Sequence, residues 1–431
     1  MTLLALPRSL AVAGLLVAVL SGCSQVPRQA HPPVVLAADK SNAVALWHDI
    51  GAATVTAKVT AGATDAEKYA AFPADMATMH LAMYDAAMAI DRRYRPFAFA
   101  PSQLAPDAAL DAAIAAAAYQ VLRALFPGRT VQLQQAYDNA VGAIPDGPAK
   151  DSGLALGAAS AAVHLQRRTA DGRATVLAAY AATSEPGRFR GNDPIIRFWP
   201  SIKPFVLNSS AQFRPPPPPA LSSAQYTADY QEVKELGGKI SARRTPAQLE
   251  TARFHAEMPQ SYFTRNFGRF ARTTADPVDA ARLMAAIYAN YTDAIGACVE
   301  AKYHYDTWRP QSAIPLADTD GNPATQPDPT WTPVLPTPNH PEYPAAHSCS
   351  AATLGELLRH YYGTDKVTFT WDSTVTGTTR TYTDTDALAE DSKLARIYGG
   401  MHFRYSTAAG AELGKKVADW TMHHAFLPVE K

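Results

Sequence analysis

Three short stretches concentrate the residue types that do chemistry. "KYHYDTWRP" sets Lys302 and Arg309 seven residues apart. At 100° per residue, seven helical residues return to within about 20° of the start, so one helix face would carry both cations, two turns apart. Pro310 then stops the helix and leaves Arg309 at its end. Two aligned cations form half of an oxyanion site. "HPEYPAAHSCSAATL", His340 to Leu354, places His347 at the start of a helix after two prolines and a small-residue step. Helix N-termini expose unpaired N–H groups and the positive end of the macrodipole, so an imidazole there can face a bound anion. "ARIYGGMHFRY" adds Arg396 and His402. Six residues on a continuous helix would put these two on different faces. Gly399–Gly400 breaks the helix and brings them together at a bend, with His402 opening the next helix. Each stretch alone has a plainer reading: Lys302 pairs with Asp306 at i+4, and the histidines cap or pack.

The elements that must hold these groups are helical. "ALWHDIGAATVTAKV", "FPADMATMHLAMYDAAMAIDRRY" and "DAALDAAIAAAAYQVLRALF" carry apolar residues at i, i+3, i+4 and i+7. "TVQLQQAYDNAV" and "SGLALGAASAAVHLQRRTADG" continue the pattern, with Ala and Gly suited to close helix packing. Residues 41–184 form this N-terminal helical region. Residues 185–223, rich in Pro, Asn, Arg and aromatics with five prolines at 215–219, form a connector that either links two bundles or straps over one. Helices resume over 224–431, with a Pro-rich loop from Pro310 to Pro344, a helix to about Tyr362, a Thr-rich hairpin within 366–385 and two final helices. The class is mainly α, a helical bundle or two packed bundles.

Of the 431 residues, 47% are hydrophobic, enough for a sizeable core, and Lys+Arg equals Asp+Glu at 39 each. That balance argues against a nucleic-acid protein. The N-terminal "MTLLALPRSLAVAGLLVAVLSGC" has a basic Arg8 and an apolar run at 10–20 too short to span a membrane comfortably. "LSGC" resembles the lipobox of bacterial lipoproteins. The resemblance implies a signal peptide over 1–22, lipidation at Cys23, a tether over 23–40, and a protein held in the bacterial cell envelope, facing the periplasm, by its lipid alone. Cys298 and Cys349 fall inside the chemical stretches and are expected to lie close, as a disulfide or as two buried thiols.

Taken in order, the three stretches resemble one signature: Lys, six residues, Arg-Pro; then Pro-Ser-Gly-His; then Ser-Arg, three residues, Gly, one residue, His. This is the pattern of the superfamily of type 2 phosphatidic acid phosphatases and vanadium-dependent haloperoxidases. "AKYHYDTWRPQSAI", "HPEYPAAHS", "ARIYGGMHFRYSTAAG" and "MHLAMYDAAMAI" are similar to its soluble haloperoxidase-like branch. The resemblance implies the helical bundle of the vanadium chloroperoxidase and acid phosphatase type. It implies that Lys302, Arg309 and Arg396 bind the equatorial oxygens of vanadate, with phosphate able to take the same site, and that the Ala346 N–H donates to the anion. His402 would ligate vanadium, and His347 would act as acid–base. Lys302 would polarise bound peroxide. Substrates would be a halide and hydrogen peroxide. An alternative is an acid phosphatase that cleaves a phosphate ester with His402 as nucleophile; another is a non-catalytic lipoprotein that keeps the fold. The chain departs from the signature at Ala345-Ala346 in place of Ser-Gly, at Ala395, and at Ser406, where phosphatases carry an Asp that orients the histidine. Tyr303, Trp308, Tyr343 and Phe403 neighbour these groups and either pack the core or shape a halide pocket.

Overall fold

The computed structural model describes residues 1–2, 32–60 and 71–430, and residues from Pro32 onward form one compact unit. Cys23 and most of the expected signal and tether lie outside the described residues. Val34–Val35, inside the segment expected as a tether, form a short strand, β1. The N-terminal helices are α1 (Ala43–Thr60), α2 (Met76–Met88), α3 (Leu110–Leu125), α4 (Thr130–Gly142) and α5 (Pro148–Arg168). Every residue of α2 is buried; its small and apolar residues pack on all sides, and its polar side chains are paired, Thr78 with the Ala74 carbonyl and Asp85 with His164. Gly153 and Gly157 let α5 lie directly on α3: a Cβ at either would fall 2.3 or 2.2 Å from the Ala109 or Ala113 carbonyl oxygen.

The C-terminal helices are α6 (Ala224–Gly237), α7 (Pro246–Phe254), α8 (Pro259–Phe270), α9 (Pro277–Tyr305), α10 (Pro310–Ala313), α11 (Ala346–Tyr362), α12 (Ala387–Tyr398) and α13 (Arg404–His424). Among the described residues no helix is long and apolar enough to cross a membrane. The Thr-rich stretch forms the expected hairpin, β2 (Val367–Ser373) with β3 (Thr378–Tyr382), and β1 pairs in parallel with β2.

Helix α9 is the central pillar. Asp276 caps it by accepting from the Val278 N–H at 2.8 Å, and Pro277 fits its first turn. α2, α11 and α13 all pack on it. Gly410 and Gly414 bring α13 onto α11, against the carbonyl oxygens of Ala345 and Cys349. The small-residue spacing seen in α5 thus recurs where the C-terminal helices close.

The connector is a strap over the C-terminal helices. Asp293 of α9 accepts from the Phe205, Val206 and Leu207 N–H groups at 2.7, 2.7 and 3.0 Å. Tyr305 and Tyr343 donate to the carbonyls of Pro215 and Pro216. Proline carbonyls have no partner of their own in a polyproline segment, so two tyrosine hydroxyls suffice to pin it.

Candidate active site

The helix that carries Lys302 ends earlier than its sequence suggests. α9 stops at Tyr305, and Asp306 takes a left-handed conformation, φ 51°. The expected shared helix face for Lys302 and Arg309 is therefore wrong. Arg309 is extended, at φ −87° and ψ 159°, just before α10, and reaches the site from a loop. Asp306 does not pair with Lys302 either; it accepts from the Tyr180 hydroxyl at 2.8 Å. His402 also precedes its helix: Phe403 is the N-cap residue and α13 begins at Arg404. The Gly399–Gly400 break is as expected. Gly400 has φ 76°, and a Cβ there would lie 2.4 Å from the Gly237 oxygen, so only glycine turns the chain this sharply. His347 stands in the first turn of α11, which starts at Ala346 without a side-chain cap.

The five groups nonetheless converge. Lys302, Arg309 and Arg396 are all buried. Lys302 Nζ donates to the carbonyls of Pro341 and Glu342 at 3.0 and 2.8 Å. Burial, reinforced by Arg309, lowers its ammonium to about 7. Arg309 donates through Nε to the His340 carbonyl, through Nη2 to His340 Nδ1, and through Nη1 to the Met401 carbonyl, each at 2.9 Å, and through Nη1 to His402 Nε2 at 2.8 Å. Burial lowers both Arg309 and Arg396 to about 10. Arg396 Nε and Nη2 are buried with no hydrogen-bond partner among the described residues. Two orphaned guanidinium donors in the interior are costly unless an anion meets them.

His402 has a defined tautomer. A guanidinium can only donate, so Nε2 must accept from Arg309. Nδ1 then carries the proton and donates to Glu342 Oε1 at 2.9 Å. Burial, followed by the charges of Arg309 and Lys302, keeps the ring well below its ordinary pKa, so it is neutral. The nitrogen that faces the cations therefore holds a lone pair. Glu342 Oε1 also accepts from the Phe403 N–H at 3.0 Å, while Oε2 is buried with no hydrogen-bond partner among the described residues. Burial raises the carboxyl to about 7, against the pull of Arg309 and Lys302.

Glu342 is the functional residue that sequence reasoning missed. It does for His402 what the absent Asp would have done from position 406; Ser406 Oγ lies 3.4 Å from Nδ1, at the limit of a hydrogen bond. His340 was missed too: its Nδ1 accepts from Arg309, and its ring lines the same cavity as His347 and His402. Both residues stand in "HPEYPAAHS", where the only available signal was a charged and an imidazole side chain held in a proline-rich turn before a helix.

That cavity has a volume of about 420 Å³, and Arg396, Ala346 and His347 border it. Tyr303, Trp308, Tyr343 and Phe403 do not. Trp308, Tyr343 and Phe403 belong to a buried cluster with Tyr226, Tyr230 and Tyr405, and Tyr303 donates to the Ile195 carbonyl. The aromatic rings that do border the cavity are Trp199, Phe263 and Tyr291. Below the site, Cys298 and Cys349 share one small apolar cluster as free thiols.

Residues 282–431 match the family model of the VCPO second helical-bundle domain. The chain has the vanadium haloperoxidase superfamily fold. Its structure resembles that of a bacterial vanadium-dependent iodoperoxidase, with a TM-score of 0.72 and 20% identity over 94% of this chain and 100% of that one. It also resembles a holo-type bacterial vanadium-dependent chloroperoxidase, with a TM-score of 0.71 and 14% identity over 90% and 97% of the two chains. No curated protein matches the sequence. Within this superfamily fold, the residues suit a tetrahedral oxyanion: three buried cations, two orphaned guanidinium donors on Arg396, an uncapped helix start and one neutral imidazole lone pair.

Proposed function

We propose that this protein is a vanadate-dependent haloperoxidase. The observation that carries the reading is His402: its Nδ1–H is held by Glu342, and its Nε2 lone pair, which accepts from Arg309, would turn to vanadium as the anion's oxygens take up that guanidinium. In this reading Nε2 is the protein ligand to vanadium. Lys302, Arg309 and Arg396 neutralise the anion's oxygens, and the Ala346 N–H donates to it. Bound vanadate would supply the Lewis acidity that activates hydrogen peroxide towards a halide. Burial and Arg309 lower Lys302 to about 7, and an anion beside it would favour the ammonium, because an opposite charge favours the charged form. His347, held well below its ordinary pKa by burial and then by Arg396, is neutral and accepts a proton at its ring nitrogen. Localisation belongs to the same proposal: an exported protein held in the envelope by a lipid on Cys23.

A second reading, phosphomonoester hydrolysis, draws on the same observation. A neutral imidazole with a carboxylate behind it is also a competent nucleophile towards phosphorus. Ser406 does not separate the two readings, because Glu342 provides the carboxylate. One preparation assayed two ways does. With vanadate, bromide and hydrogen peroxide, bromination of a phenol dye is expected, and it should depend on His402. Without vanadate, cleavage of a generic phosphate monoester should be weak. Ester cleavage that needs His402, with no vanadate-dependent bromide or iodide oxidation, moves the assignment to a phosphatase.

A further inference from the structure

Halide and peroxide need little room; one water's share of liquid volume is about 30 Å³. The cavity over the site is about 420 Å³, within the range of pockets that enclose organic ligands. Its walls are apolar: Trp199, Phe263, Ile295 and Val299 line the interior, with Met258, 58% exposed, at its edge. Against these walls stands a polar group of His340, His347, Arg396 and His402, of which His340 and His402 both hydrogen-bond Arg309.

This asymmetry selects a ligand with an apolar body and one neutral or anionic polar end. A cationic ligand is excluded by Arg396, with Lys302 and Arg309 close behind it. The one carboxylate on the wall, Glu257, is already engaged: Arg265 donates to it at 2.5 and 2.8 Å, and the Thr374 N–H at 3.0 Å. Flat rings flank the space, with Phe263 5.1 Å from Tyr291 and 6.3 Å from His347 between centroids. Such walls favour an aromatic guest in stacked or edge contact.

We propose that this cavity binds an apolar, neutral aromatic acceptor such as an alkylphenol and holds its ring and hydroxyl against His347 and Arg396 during halogenation. The inference rests on the haloperoxidase reading. For bromide the overall reaction is ArH + Br⁻ + H₂O₂ + H⁺ → ArBr + 2 H₂O. A C–H bond and the O–O bond break, a C–Br bond forms, peroxide takes up two electrons, and the ring's proton joins the water formed.

The test is calorimetric binding of 4-hexylphenol and of phenol to the vanadate-loaded protein, without peroxide or halide. Each buried methylene contributes about 0.8 kcal/mol. Hexylphenol should therefore bind at least ~30-fold more tightly than phenol. Ile295→Trp, which fills the cavity, should weaken hexylphenol at least ~10-fold and leave vanadate affinity unchanged. Met258→Asp, at an exposed position that folding tolerates, should weaken it several-fold. Equal affinity for the two phenols, or hexylphenol binding indifferent to both substitutions, overturns the proposal even if the dye is brominated. Tight, Ile295-dependent binding without halide oxidation upholds the cavity and overturns the haloperoxidase reading instead.

Discussion

Two buried imidazole–carboxylate pairs stand in the two halves of this protein, and their lengths barely differ. In the N-terminal half His164 Nε2 lies 2.8 Å from Asp85; in the C-terminal half His402 Nδ1 lies 2.9 Å from Glu342. Their surroundings separate them. Asp85 is saturated: besides His164 it accepts from the Phe97, Ala98 and Phe99 N–H groups at 2.6–2.7 Å, so the pair clasps a loop. Glu342 leaves one oxygen without a partner among the described residues, and the far nitrogen of its histidine meets Arg309. The cavity beside His164 is about 20 Å³; that beside His402 is about 420 Å³. A buried pair is structural when its donors and acceptors balance. It becomes a site when an imbalance of charge and an accessible space coincide.

Substitutions that act on one pair and spare the other can break this distinction. The largest effect on function is expected from His402→Ala, which should abolish vanadate-dependent halide oxidation in protein that circular dichroism shows to be folded. Asp85→Ala should do the reverse. It strands His164 and three N–H groups, so a loss of about 3–5 kcal/mol in unfolding free energy is expected, with vanadate affinity of the folded protein unchanged. Glu342→Gln keeps the shape but removes the charge behind His402, and a drop of roughly 10–100-fold in vanadate affinity should follow in a binding titration.

A third pair, His255 with Asp391 at 3.2 Å, sharpens the contrast through pH. Burial would raise the Asp391 carboxyl, but hydrogen bonds from His255, Tyr382 and Arg380 outweigh it and hold it at about 2. A carboxyl lowered on folding stabilises the protein above its unfolded pKa, about 3.9, and loses that contribution as pH falls through the folded value. Unfolding titrations should show about 2 kcal/mol from this group, present above pH 4 and lost between pH 4 and 2; Asp391→Asn should remove that slope. The smallest effect concerns the missing serine. Ala345→Ser restores a hydroxyl before the α11 first turn and should tighten vanadate about tenfold.

Much of this was legible in the sequence. Helical periodicity gave the class, and the hairpin followed from its Thr-rich composition. The order of Lys302, Arg309, His347, Arg396 and His402 matched a family signature, and that resemblance implied that the cations and imidazoles meet. What failed was local phase. A helical wheel carries Lys302 to Arg309 only if the helix persists, and the left-handed Asp306 ends it four residues after Lys302. Glu342 and His340 were hidden for another reason. Neither stands at a helical spacing from His402 or Arg309, and their contacts arise from a loop that Thr307 also helps to hold, through its carbonyl on the Glu342 N–H and its hydroxyl on the Tyr343 N–H, both at 3.0 Å. Contacts made between loops distant in sequence leave no periodic trace.

The central claim, that buried cations and a neutral His402 form an oxyanion site, is tested most directly by vanadate binding itself, followed by ⁵¹V NMR on the wild type and on His402→Ala. One bound vanadate per chain is expected in the wild type, displaced by phosphate, with loss of the bound signal in the variant. A wild type that binds no vanadate, or a His402→Ala protein that binds it equally well, would mean that His402 and the buried cations do not form an oxyanion site.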